Sequence, residues 1–157
     1  MTLTFKRGLR TDPVSSLPQR PFAAAAPDDS IHHAVEAMRD QHAGCVLILS
    51  DSKLVGIFTE RDFISRVIAK DLDVLLPVER VMTPSPVTLR CSSSVLSAVE
   101  LMDQAAVNHL PVVDDDNRPS SVLSSRDVVH YLVEYFPAKV YNLPDNPEQK
   151  QPVREGA

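Results

Sequence analysis

Two short stretches place a carboxylate three residues after a hydroxyl: Thr59-Glu60-Arg61-Asp62 and Ser124-Ser125-Arg126-Asp127. Each follows an apolar run and opens a helical one, so each aspartate stands where a strand gives way to a helix. A carboxylate there can close a capping box: the hydroxyl accepts from a backbone N–H one turn on, and the acid reaches back to the cap's own N–H. Such caps are worth about 1 kcal/mol. It can also accept both hydroxyls of a cis-diol such as a ribose, while exposed N–H groups at the same helix start attract phosphate. Arg61 and Arg126, directly before the aspartates, can add a charge-assisted hold on phosphate or lie on a solvated helix face. Types and spacing alone leave both readings open.

Other chemistries find little support. His32, His33, His42 and Cys45 lie close in sequence, but adjacent histidines on a helix point about a hundred degrees apart and no Cys-x-x-Cys accompanies them, so a metal site is not expected. No Ser-His-Asp or Cys-His arrangement can be defended from spacing, and no glycine-rich phosphate loop occurs, so a stand-alone enzyme is not expected. A net charge of −5 without clustered Lys or Arg argues against nucleic acid as a partner. The opening MTLTFKRGLRTDP lacks the apolar run of a secretory signal, and no stretch is long enough to cross a bilayer. Cys45 and Cys91 are too few for a disulfide framework and fit reduced thiols. The expectation is a soluble, cytoplasmic protein without a membrane partner.

The elements that must position these residues are written twice. AVEAM at 34–38 returns as AVELM at 98–102, an offset of 98 − 34 = 64, and FTERD at 58–62 returns as LSSRD at 123–127, an offset of 127 − 62 = 65. Two matches in nearly one register mean two copies of one unit. Each copy opens on an extended stretch beside proline, PFAAAAP and SPVTLRC. An amphipathic helix follows, with Ile31, Ala34, Val35 and Met38, or Val95, Ala98, Val99 and Met102, at i, i+3, i+4, i+7. CVLIL and LPVVD lack alternation, as strands covered on both faces do, and short polar turns join them to LVGIF and SSVLS as hairpins. ERDFISRVIAK and SRDVVHYLVEYF close the units as helices, the second ended by Pro137. Between the units, Val78 to Met82 reads as a short helical piece, and the pre-proline residues Thr83 and Ser85 read as extended chain. The order is β-α-β-β-α, twice.

With LVGIFTERD, VERVMTPSPVTL, AVELM, HLPVVD and SSRDVV in this order, residues 17–137 resemble a tandem pair of CBS (cystathionine β-synthase) domains, a Bateman module. The resemblance implies an α+β fold in which two β-α-β-β-α repeats pack sheet to sheet with pseudo-twofold symmetry, leaving two clefts. It sets residues 1–16 as an N-terminal flank, 17–75 as the first repeat, 76–137 as the second and 138–157 as a C-terminal tail. The flanks carry no apolar period and many Pro, Asn, Gln and charges. Tyr131, Tyr135, Phe136, Val140, Tyr141 and Leu143 make the start of the tail too apolar to stay free, so it is expected to dock on the packed repeats or on a second copy.

The resemblance further implies adenine-nucleotide ligands, AMP, ADP, ATP or S-adenosylmethionine, with no required cofactor and no catalysis. Thr59 and Asp62 then hold the sugar in one cleft, and Ser124 and Asp127 in the other. Arg61, Arg126 and His109 face phosphate, while Cys45, Val46, Val87, Thr88, Leu110 and Pro111 line the base pockets. The family pattern is Gly-x-x-Thr/Ser-x-x-Asp. Gly56 satisfies it and leaves room for a ligand or another backbone, but Ser121 replaces the second glycine (121 − 56 = 65) and weakens the second cleft. The counterpart of His109 is Gly44 (109 − 65), so basic help comes from one side. The expected function is a stand-alone regulatory module, a homodimer, reporting nucleotide occupancy to a protein partner in trans. The alternative is a ligand-free interaction scaffold with degenerate clefts.

Overall fold

The computed structural model of the protein describes residues 8–135. In the first unit, strand β1 (Ala23–Ala25) lies parallel to β2 (Cys45–Ser50), which pairs antiparallel with β3 (Lys53–Thr59). Asp51 and Ser52 turn the hairpin with positive φ at both residues, the type I′ geometry that matches strand twist. Helix α1 (Ile31–Asp40) starts where the Ser30 side chain accepts from the His33 N–H at 3.1 Å, and it buries Ile31, Ala34 and Met38. The expected lack of alternation in β2 has its cause here. Val46 and Ile48 pack with α1 and Phe58, while Cys45 and Leu47 face the other way, toward the second unit.

The second unit repeats the plan with α3 (Val95–Ala105), the hairpin β5 (His109–Val113) to β6 (Pro119–Ser124), and α4 (Ser125–Tyr135). Ser94 caps α3 by accepting from Ser97 N–H at 3.1 Å, and Val95, Ala98 and Met102 are buried. The sheets meet through Cys45, Leu47, Leu54 and Ile57 on one side and Val113 with Val122 on the other. The second hairpin turn is bonded across the joint: Leu54 N–H donates to the Asn117 carbonyl at 3.0 Å, and Asn117 Nδ2 donates to the Leu54 carbonyl at 2.8 Å. The expected α+β architecture of two repeats is present.

Three local expectations are revised. The segment ERDFISRVIAK is helical but not one regular α-helix. This helix, α2, begins as an α-turn Glu60–Asp62, widens to a π-helix over Phe63–Val67 and tightens to a 3₁₀ turn at Ile68–Lys70. The wide turn brings Asp62 and Val67 to the same buried side, which 3.6-residue periodicity does not allow for residues five apart. Ser85 is not extended but has φ 45°, and the stretch after it makes one parallel bridge, Leu89 to Val112, in place of a strand. The strand in this region lies earlier, at β4 (Thr83–Pro84), which adds to β3.

The third concerns the N-terminal flank. Leu9, Val14 and Leu17 are buried in the core of the second unit beside Val95, Ala98 and Leu110. Val14 N–H donates to the Ser93 carbonyl at 2.7 Å, and Val95 N–H to the Asp12 carbonyl at 3.0 Å. The linker makes the converse exchange. Val78, in a 3₁₀ turn Val78–Arg80, and Val81 pack in the first unit's core. Phe136, Pro137, Val140, Tyr141 and Leu143, and the docking expected of them, lie outside the described residues.

Candidate functional site

Both hydroxyl–carboxylate pairs form full capping boxes. Asp62 Oδ2 accepts from Thr59 N–H at 3.0 Å and from Thr59 Oγ1 at 2.9 Å, and Thr59 Oγ1 in turn accepts from Asp62 N–H at 3.2 Å. Ser124 and Asp127 repeat this at 2.9, 2.6 and 3.2 Å. The remaining oxygen, Asp62 Oδ1, faces Arg66 Nε at 3.3 Å. Arg66 also donates to the Val81 carbonyl at 2.8 Å and to Thr83 Oγ1 at 3.1 Å, tying α2 to the linker.

This geometry narrows the chemistry. A carboxylate offers about four lone-pair sites, and three of those on Asp62 are engaged, so it can take one further hydroxyl at Oδ1 and not two. Thr59 Oγ1, which donates to Asp62 Oδ2 and accepts from Asp62 N–H, keeps one lone pair as a second acceptor beside it. The helix-start donors are also largely committed, since Glu60 N–H donates to the Gly44 carbonyl at 3.1 Å and Asp62 N–H to Thr59. Phosphate binding by this turn therefore falls to side chains more than to backbone.

The first box opens on a cleft of about 520 Å³. One wall is Ile57 with Thr59 to Asp62 and Arg66, a second is Thr83 with Ser85 to Val87, a third is Ala105 to His109, and Gly44 forms the floor. Of the expected ligand-binding residues, Thr59, Arg61, Asp62, Val87 and His109 meet here. The side chains of Cys45, Val46, Leu110 and Pro111 do not line it. They are buried in the cores and the sheet joint, because unalternated strands spend both faces on packing. Thr88 is half-buried and also absent from the walls.

Ser124, Arg126 and Asp127 stand at the counterpart position. Asp127, 3 % exposed, is paired through Oδ1 with Arg20 Nε at 3.2 Å. Ser121 is buried and donates to Gln19 Oε1 at 2.6 Å, so the chain leading into β1 is bonded across this second box.

Sequence reading missed Glu60, Arg66, Thr83, Ser85 and Asn108 as cleft residues. Glu60 was legible, as it sits inside the motif. Arg66 was not, because its reach to Val81 and Thr83 depends on the π turn. Gly56 serves packing: a methyl group in its place would lie 2.3 Å from Met82 Sδ, and β4 pairs alongside at Pro84. The room it leaves is filled by the chain itself.

His109 and Cys45 carry shifted protonation. Burial lowers the His109 pKa below its ordinary 6.5, opposed by Glu60 and Asp127 and reinforced by Arg126. The ring is therefore neutral at pH 7. Burial, with Glu60 adding to it, pushes the Cys45 thiol up to about 12, which makes it an inert packing residue. Among the described residues no three His, Cys, Asp or Glu side chains converge as metal ligands, and no helix is long and apolar enough to cross a membrane.

A methyl group in place of the Gly44 hydrogen would lie 2.9 Å from His109 Nε2. Gly44→Ala is therefore expected to displace the imidazole into the cleft. The ring ends a rotatable side chain and Gly44 has no positive φ, so the stability cost should stay under about 1 kcal/mol. In wild type the unfolded chain binds the proton more readily, so stability falls as pH drops below 6.5 and levels off under the folded value. In Gly44→Ala the ring, now solvated, should titrate closer to 6.5 by NMR and that pH dependence should shrink. An unchanged titration would show that the ring had not moved.

The family model described as "CBS domain" matches twice, at residues 14–69 and 78–134. An Arabidopsis thaliana CBS domain-containing protein, CBSCBSPB3, is 33% identical over 112 residues, which cover 71% of this chain and 20% of that one. The chain thus spans about a fifth of the length of such relatives. Bacillus subtilis YhcV is 30% identical over 95 residues, 60% of this chain and 68% of that protein. Among solved structures, the CBS domain pair of MJ0100 in complex with 5-methylthioadenosine and S-adenosyl-L-methionine superposes with TM-score 0.73 at 24% identity, covering 80% of this chain and 98% of that one. The Pyrobaculum aerophilum protein PAE2072 complexed with AMP gives TM-score 0.70 at 23% identity, with 78% and 98% covered.

Proposed function

This chain belongs to the CBS-domain family, and from that premise we propose that it is a regulatory module binding an adenosine-containing ligand in the cleft at Thr59 and Asp62. The observation that carries the reading is the first box itself. An open cleft of about 520 Å³ has one acceptor site left on Asp62 and one on the neighbouring Thr59, the two acceptors a cis-diol needs. Arg61 and His109 stand on its walls for the 5′ substituent. Relatives of the same fold are complexed with AMP or with S-adenosylmethionine and 5-methylthioadenosine.

The second cleft is the weaker one. Arg20 pairs with Asp127 as Arg66 does with Asp62, but Asp127 is the more deeply buried carboxylate, and Ser121, where the first unit has glycine, is bonded to Gln19. A side chain at 121 and its Gln19 partner crowd this position. Ser124, Arg126 and Asp127 consequently rank below Thr59, Arg61 and Asp62.

A homodimer in the cytoplasm is part of the proposal. Ile64 and Ile68 on α2 are 64% and 59% exposed, and Val129 and Val133, each 65 residues later on α4, are 55% and 56% exposed. Apolar pairs exposed at matching positions of the two units offer surface that a second copy would cover. The module acts without catalysis, and occupancy reaches a partner in trans through the difference in ligand affinity between two states.

Thermal denaturation with AMP, ADP, ATP, NAD and S-adenosylmethionine tests the binding. A ligand at about a hundred times its dissociation constant adds about 2.7 kcal/mol, roughly 10 °C for a domain of this size. No shift with any of them would favour the scaffold, in which Arg20 and Ser121 mark clefts closed by their own side chains.

A further inference from the structure

We infer that Glu60 sets the charge class of the ligand in the first cleft, admitting nucleosides of low negative charge, with at most one phosphate, over nucleoside di- and triphosphates; this rests on the nucleoside reading above. Among the described residues, five ionisable side chains line the cleft: Glu60, Arg61, Asp62, Arg66 and His109. Asp62 and Arg66 face each other at 3.3 Å, and Arg66 is further held by Val81 and Thr83. His109 is neutral at pH 7. Among the described residues on the walls that leaves one carboxylate, Glu60, against one guanidinium, Arg61, so the lining itself carries no net positive charge; Arg126, near enough to act on His109, lies outside it beside Asp127.

The position of Glu60 sharpens this. The methyl position on Gly44 is 3.6 Å from Glu60 Oε2 and 2.9 Å from His109 Nε2. The two side-chain tips are thus at most 6.5 Å apart, the sum of those distances, over the floor of the cleft. Glu60 lies two residues from the aspartate that would fix the sugar and lines the same cleft, so its charge acts on a 5′ phosphate chain bound there. Two of the backbone donors at this helix start are used, Glu60 N–H by Gly44 and Asp62 N–H by Thr59. Like unit charges about 6 Å apart weaken binding by about threefold in water and about a hundredfold near a protein surface, for each added charge.

Isothermal titration of the full chain with AMP and ATP, without divalent cations, tests this on wild type, Glu60→Gln and Glu60→Lys. Glu60 is exposed, so both variants should fold. Wild type is expected to bind AMP at least tenfold more tightly than ATP, with the gap narrowing at high salt. Glu60→Gln should shrink the AMP-to-ATP ratio threefold or more by tightening ATP, and Glu60→Lys should shrink it further. ATP bound as tightly as AMP by wild type, or a ratio unmoved in both variants, would overturn the charge filter while leaving nucleoside binding intact. Neither nucleotide binding any of the three proteins would remove the nucleoside reading and the filter with it.

Discussion

Asp62→Ala is expected to weaken AMP binding by about thirtyfold or more while lowering folding stability by only about 1–2 kcal/mol. The binding loss follows from the single acceptor site left on Oδ1, because a hydrogen bond to a charged group is worth about 1.5–3 kcal/mol, which is about ten- to a hundredfold in affinity. The substitution also leaves Arg66 without its carboxylate, though still bonded to Val81 and Thr83. The stability loss is that of half a capping box, since Thr59 N–H and its hydroxyl lose Asp62 as acceptor in a partly buried place. The two effects are read separately, by titration calorimetry and by the urea midpoint. Asp127→Ala supplies the contrast: it removes the same box and the Arg20 pair, yet AMP affinity should change by no more than about threefold if the ligand sits in the first cleft. Affinity retained in Asp62→Ala would separate the box from the binding site altogether.

How much of this was legible in the chain depends on whether a contact is periodic. The two units were readable because AVEAM/AVELM and FTERD/LSSRD repeat at 64 and 65 residues, and because Ile31, Ala34 and Met38 keep helical spacing on a buried face. Thr59 and Asp62 were readable as a pair because a box is local. Its dual use was not resolvable, since the same atoms satisfy both roles until the remaining lone pairs are counted. Cys45, Val46, Leu110 and Pro111 are assigned to the base pockets by the family resemblance, but a strand packed on both faces has no side chain to spare for a ligand. Arg66 and Ser85 were missed for a different reason. Their roles come from an irregular turn and a positive φ, neither of which composition specifies.

The N-terminal flank is the sharpest case of that limit, and Val14→Asp is its test. Composition assigns residues 1–16 no core, because Leu9 and Val14, with Leu17 at the edge of the first repeat, follow no single period. Yet Val14 is fully buried among second-unit side chains. Its backbone N–H pairs with Ser93, and the preceding Pro13 bridges Ser94, the residue that caps α3. On a free flank, Val14→Asp would change stability by no more than about 0.5 kcal/mol. In the observed packing the charge has no partner among apolar neighbours, and the expected loss is 4 kcal/mol or more, about the whole stability of a marginal domain. Val14→Ala, which removes two methyl groups without adding charge, should cost about 2–3 kcal/mol. Urea denaturation followed by circular dichroism distinguishes the outcomes. A graded loss, Asp well beyond Ala, would establish that the segment before the first repeat completes the core of the second. The linker already gives Val78 and Val81 to the first unit. Each unit is then closed by residues that flank the other, and neither is a complete domain when cut at the edges of its own repeat.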